Sequence, residues 1–160
     1  MIEIRPPRRR RWEAGFTMAE MVMVAAVMAL LATAVLPVAK FTSRRTKEME
    51  LRSALREMRA AIDEHKRISD GGHIQIDLGA DGYPAELEVL VEGVEILGKI
   101  DYKHKFLRRI PLDPMTGERE WGLRSYQDDH DSDSWGGENV YDVYSLSNGI
   151  GLNGVPYHEW

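Results

Sequence analysis

The sequence predicts an α+β protein in which one long N-terminal helix packs on a small antiparallel β-sheet. Three observations predict it. A nearly unbroken apolar run, Met21 to Ala39 with Thr33 its only polar residue, leads directly into a second stretch with helical period. In that stretch Leu51, Leu55, Met58 and Ile62 fall at i, i+4, i+7 and i+11, on one face of a helix. Near the C-terminus, Glu120–Ser125 and Asn139–Leu146 alternate apolar and polar residues as short strands do, with the polar stretch Tyr126–Glu138 between them.

Residues 1–15 form a basic leader, with Arg5, Arg8, Arg9, Arg10 and Arg11 set against Glu3 and Glu13. The chain as a whole carries −5, so the rest is more acidic than the total suggests. Residues 16–39 read as a transmembrane helix, long enough at about 1.5 Å per residue to cross a hydrocarbon core of about 30 Å. Arginines before a first span tend to stay cytoplasmic, which would put the acidic body across the membrane. Lys40, Arg44, Arg45 and Lys47, beyond the span, weaken that charge argument. An ordinary secretory signal places its small-residue cleavage site after the apolar core. Here Gly15 comes before it, so a cut there leaves the apolar segment on the mature protein.

Glu20 stands at the head of the apolar run. A lone carboxylate in hydrocarbon costs about 2.5–3.5 kcal/mol even on lenient insertion scales, so a partner from outside the chain is the expected reason for it. Pro37 removes one helical hydrogen bond and predicts a kink within the long helix. Residues 40–69 continue that helix as an amphipathic segment, with Arg52, Glu57, Arg59, Asp63, Glu64 and Lys66 on its other faces. Gly71-Gly72 supplies the stop.

Residues 70–160 form the head. It opens with a glycine- and aspartate-rich loop over 70–82. A second helix is expected to start near Pro84 and to bury Leu87, Leu90, Val91 and Val94. Lys103–Leu112 leads into the turn Asp113-Pro114-Met115-Thr116-Gly117. The two strands are expected to form a hairpin, or part of a three-stranded sheet, on the stripe at Leu51–Ile62, with Tyr144, Tyr157 and Trp160 anchoring the tail.

Several function classes are disfavoured. Cysteine is absent, so neither disulfides nor thiolate metal sites form. The acidic body argues against nucleic acid as a partner. His65, His73, His104, His130 and His158 are scattered, with no metal-binding pair, nucleophile elbow or phosphate loop among the motifs, so no catalytic residue is assigned. Asp129-x-Asp131-x-Asp133 starts like an EF-hand loop, but Ser134 and Val140 stand where that loop needs glycine and glutamate. Calcium held by Asp128, Asp129, Asp131, Asp133 and Glu138 is the one cofactor candidate, against a simple solvated acidic loop.

Gly15-Phe16-Thr17-Met18-Ala19-Glu20, between a basic leader and an apolar run, resembles the prepilin processing motif of type IV pilins and type II secretion pseudopilins. The resemblance implies a pilin-like fold, cleavage by prepilin peptidase between Gly15 and Phe16, N-methylation of Phe16, and an assembly role for Glu20 opposite the N-terminal amine of a neighbouring subunit. Tyr83-Pro84, the run Phe106–Pro114 and Tyr141-Asp142-Val143-Tyr144-Ser145 are similar to the major (G-type) pseudopilin branch. That branch implies a periplasmic pseudopilus of the type II secretion system. Its partners would be copies of this chain, other pseudopilins, an inner-membrane assembly platform, an ATPase and membrane lipid. The cytoplasmic N-terminus and periplasmic head would flank a single inner-membrane pass. The branch also binds calcium in a loop after the strand matching Tyr141–Ser145, but here Asn148 stands near the first aspartate position and 149–157 has no acidic residue. A type IV pilus pilin or minor pilin, and a membrane-anchored binding module that never polymerises, are the alternatives.

Overall fold

The computed structural model describes residues 15–75, 81–99 and 102–160; within its first helix the side chains of 34–39 are outside the description. The expected leader, up to residue 14, and the expected kink at Pro37 therefore lie outside the described residues. The chain is α+β and divides into two compact units, Met1–Thr42 and Ser43–Trp160. Helix α1, Met18–Asp70, contributes to both.

In the first unit α1 is apolar on every side over residues 21–32. Met18, Met21, Val22, Met23, Val24, Val27, Met28, Leu30 and Leu31 are all exposed, Leu30 to 72%. Among the described residues no helix is long and apolar enough to cross a membrane. The described apolar side chains stop at Thr33, short of the roughly 20 residues a span requires.

In the second unit α1 becomes amphipathic. The stripe Leu51, Leu55, Met58 and Ile62 is buried as its spacing predicts, joined by Ala54 and Ala61. The helix ends at Gly71-Gly72: the Gly71 N–H donates to the Arg67 carbonyl and the Gly72 N–H to that of Ser69. Gly72 has φ +69°, where a side chain would be strained.

The expected second helix is shorter than its apolar spacing suggests. Helix α2 covers only Val89–Glu92. Leu87 and Leu90 are buried, whereas Val91 is half-buried. Val94 belongs instead to strand β1, Val94–Glu95, which pairs antiparallel with β2, Lys103–His104. Gly93, at φ +83°, makes the break, and its Cα sits so close to the His104 carbonyl that a Cβ would clash. This small sheet was not expected from the sequence, because two-residue strands carry no readable alternation.

The expected hairpin is present. Strand β3, Gly122–Arg124, pairs antiparallel with β4, Asp142–Tyr144, in the register Gly122↔Tyr144 and Arg124↔Asp142. Val140 and Val143 join the helix stripe, Leu87, Leu90, Leu107, Trp121 and Tyr157 in one core. Tyr144 is buried outside that core; its ring lies across Gly122, where a Cβ would come within 2.2 Å of it. The Arg124 guanidinium stacks on the ring at 4.2 Å. Glycine and arginine thus cover the tyrosine, which explains the imperfect alternation of these strands.

Candidate functional site

Residues 15–17 precede α1 and are not helical. Thr17 caps it: its Oγ1 accepts from the Glu20 backbone N–H at 3.2 Å, and its carbonyl accepts from the Met21 N–H at 3.1 Å. Thr-x-x-Glu is the sequence pattern of a helix start, a local signal that the reading of Glu20 as an assembly residue overlooked. Glu20 also lies in the first turn, where the helix dipole favours a carboxylate. Its side chain is exposed and has no ion pair among the described residues. Phe16 is 74% exposed, and a Cβ added to Gly15 would meet nothing within 4 Å. The Gly15–Phe16 bond therefore lies in exposed, non-helical chain just outside a capped helix.

The acidic loop is built by its own hydrogen bonds. Asp128 Oδ2 accepts from the Ser125 N–H at 2.7 Å and the Gly136 N–H at 3.1 Å. These two bonds, the Ser125 one first, hold the carboxyl below its ordinary value. Asn139 ties the loop base, accepting from the Tyr126 N–H at 3.0 Å and donating to Gln127 Oε1 at 3.0 Å. Trp135 Nε1 donates to the Asn139 carbonyl at 2.8 Å. Asp129, Asp131, Asp133 and Glu138 are exposed and make no ion pair among the described residues. No three His, Asp or Glu side chains among the described residues converge as a metal site. The loop's carboxylates are therefore spread along its surface, and the one oriented by backbone N–H groups is already engaged by them.

The segment after β4, where the resemblance implies calcium, is held by side chains. Ser145 Oγ donates to Asp113 Oδ2 at 2.6 Å, with both residues buried, and the Ser147 N–H donates back to Ser145 Oγ at 3.2 Å. Farther along, Glu48 of α1 is buried and its Oε1 accepts from the Leu152 N–H at 2.8 Å and the Tyr157 hydroxyl at 3.0 Å. Arg44 donates to the Tyr157 hydroxyl at 3.3 Å and to the Ile150 carbonyl. Its guanidinium is shifted up, chiefly by the Tyr157 bond. Arg59 donates to the Trp160 carbonyl at 2.7 Å and to the Asp142 carboxylate at 2.6 and 3.2 Å. Tyr157 and Trp160, two of the three expected tail anchors, meet edge to face at 5.1 Å, whereas the third, Tyr144, packs against Gly122 and Arg124. Glu48, Arg44 and Arg59 do this fastening without any sequence signal, since charged residues on an amphipathic helix look like a solvated face.

His65 is the one buried histidine among the described residues. Its Nδ1 lies 3.1 Å from the Gly82 carbonyl and its ring 5.2 Å from that of Phe106. Burial lowers its pKa, only partly offset by the Gly82 bond. Comparison of the chain with protein-family models, curated proteins and solved structures finds no match in any of the three.

Proposed function

We propose that this chain is a prepilin: a pseudopilin-like subunit cut between Gly15 and Phe16, held in the inner membrane by residues 16–39, and polymerised through that helix into a periplasmic pseudopilus serving type II secretion. The observation that carries the reading is the uncovered, all-round apolar start of α1 with Glu20 in its first turn. A helix apolar on every side needs lipid or other helices around it. A carboxylate there needs an opposite charge, and the Phe16 amine of a neighbouring subunit, released by cleavage, would supply it. The pair must be intermolecular to set the axial stagger of a fibre.

The exposed, non-helical chain at Gly15–Phe16 suits a peptidase, because cleavage needs backbone free of helical hydrogen bonds. Among the described residues, every buried side-chain polar atom of the head is hydrogen-bonded within the fold. A type IV pilin would use the same helix, and the secretion branch rests on the similarity of residues 83–146 alone.

Mass spectrometry of the mature N-terminus tests the processing step. Methylated Phe16 as the first residue is expected; an intact Met1, or a cut beyond Ala39, would refute it.

A further inference from the structure

Beside the fastened tail lies a cleft of about 330 Å³ whose walls include Arg52, Arg56 and Arg59 of α1 and Trp160. The three arginines sit at i, i+4 and i+7, on one helix face. Arg59 is committed to Asp142 and the Trp160 carbonyl. Arg52 stacks on the Trp160 ring at 4.3 Å but pairs with no carboxylate among the described residues, and Arg56 has no ion pair there at all. Among the described residues, Glu159 is the one acidic side chain lining the cleft; it is exposed and its ion pair is with His158, at 3.8 Å. In an acidic chain, Arg52 on the Trp160 ring and Arg56 one turn along, neither ion-paired among the described residues, make a cationic, partly apolar socket. Arginine and tryptophan are the side chains that most often dominate protein interfaces.

The molecule carries the complementary surface. Asp129, Asp131 and Asp133 are exposed on one loop with no ion pair among the described residues, and Trp135 beside them is 39% exposed although its indole N–H is satisfied. We infer that the Arg52/Arg56 cleft of one copy receives the 129–135 loop of a second copy, with Arg52 and Arg56 meeting its aspartates. The inference rests on the polymer reading above and adds to it a head-to-head contact outside the apolar helix. Cleft and loop are different surfaces, so the contact is heterologous: each copy offers a cleft to one neighbour and a loop to another, and repetition extends a fibre.

The chain has no cysteine, so every disulfide it forms involves an introduced thiol. Arg56→Cys or Asp131→Cys alone, which can pair only with its own kind, separates the intended 56–131 bond from 56–56 and 131–131 bonds. The full chain carrying both Arg56→Cys and Asp131→Cys would be oxidised in cell membranes, beside wild-type chain treated with formaldehyde, which needs no designed contact. A thiol-reversible ladder of multimers is expected. Formaldehyde multimers without a disulfide ladder would overturn the cleft contact and leave the polymer standing. No multimers by either route would overturn both. Disulfide products that stop at dimers, or that join the chain only to other proteins, would also overturn it. Because both positions are exposed, the variant is expected to melt as the wild type does. In a second arm, Arg56→Glu is expected to weaken association roughly fivefold, the upper range for an exposed pair. Adding Asp131→Lys should restore it; failure to restore would count against the pairing.

Discussion

The two ends of helix α1 obey different rules. Around Leu51–Ile62 the helix is amphipathic, and its apolar stripe is buried against residues of the same chain. From Met18 to Leu31 its apolar side chains are exposed on all sides, and only a threonine cap and a first-turn carboxylate mark its start. One end is completed by its own fold. The other presents apolar side chains that no described residue covers, and under the proposed function lipid or other subunits would cover them. A helix can thus hold a folding segment and an assembly segment in one continuous run, distinguished by whether polar residues interrupt the apolar pattern.

The largest expected effect separates the two ends outright. Glu20→Ala should abolish incorporation into fibres while leaving cleavage at Gly15 intact, read by multimer cross-linking and N-terminal mass spectrometry. The helix start should survive, because Thr17 caps the backbone N–H of residue 20 and not its side chain. Normal assembly by this variant would make Glu20 a helix-start residue only.

Next, Met58→Ala should destabilise the head by about 2–5 kcal/mol, as large-to-small changes at fully buried sites do; Met58 is 0% exposed. Val24→Ala should leave head unfolding in denaturant unchanged, since Val24 is exposed and belongs to the other unit. Equal losses from both would erase the distinction between the two ends.

Glu48→Ala should cost about 1–3 kcal/mol, the range for stranding a buried donor, here the Tyr157 hydroxyl, and it also removes the acceptor of the Leu152 N–H. Hydrogen exchange at Leu152 should quicken more than at Val143, which sits in the hairpin core. Uniform exchange through the head would show that Glu48 does not fasten the tail.

The smallest effect is a pH dependence. Burial lowers the His65 pKa in the folded head, so the unfolded chain takes up a proton first as pH falls. The contribution of His65 is therefore complete above its ordinary value of 6.5 and is lost as pH drops below it toward the folded pKa. Melting temperatures between pH 7 and 5 should fall less steeply in His65→Gln than in wild type; equal slopes would refute the assignment.

Much of this was legible because it depends on periodicity. The spacing of Leu51, Leu55, Met58 and Ile62 gave the buried stripe, and Gly71-Gly72 gave its end. The hairpin pairing of β3 with β4 followed from two alternating segments joined by a polar stretch. Other features were hidden because they depend on partners distant in sequence. The apolar residues 87–94 look like one helix, yet Gly93 and the approach of His104 divert Val94 into a strand. Tyr144 finds its place only because the residue opposite is glycine.

By itself, the sequence determined the order of segments: an apolar helix with a carboxylate near its start, an amphipathic continuation and an acidic head. Those are properties of residue type and spacing, which survive without coordinates. Tertiary structure alone decided which charges are engaged. Glu48 and Arg59 on α1 reach the tail and the hairpin, while Arg52 and Arg56 on the same helix find no carboxylate among the described residues. The reason is physical: an ion pair needs its partner within about 4 Å. Residues 83 to 109 positions apart meet only when the whole head has folded.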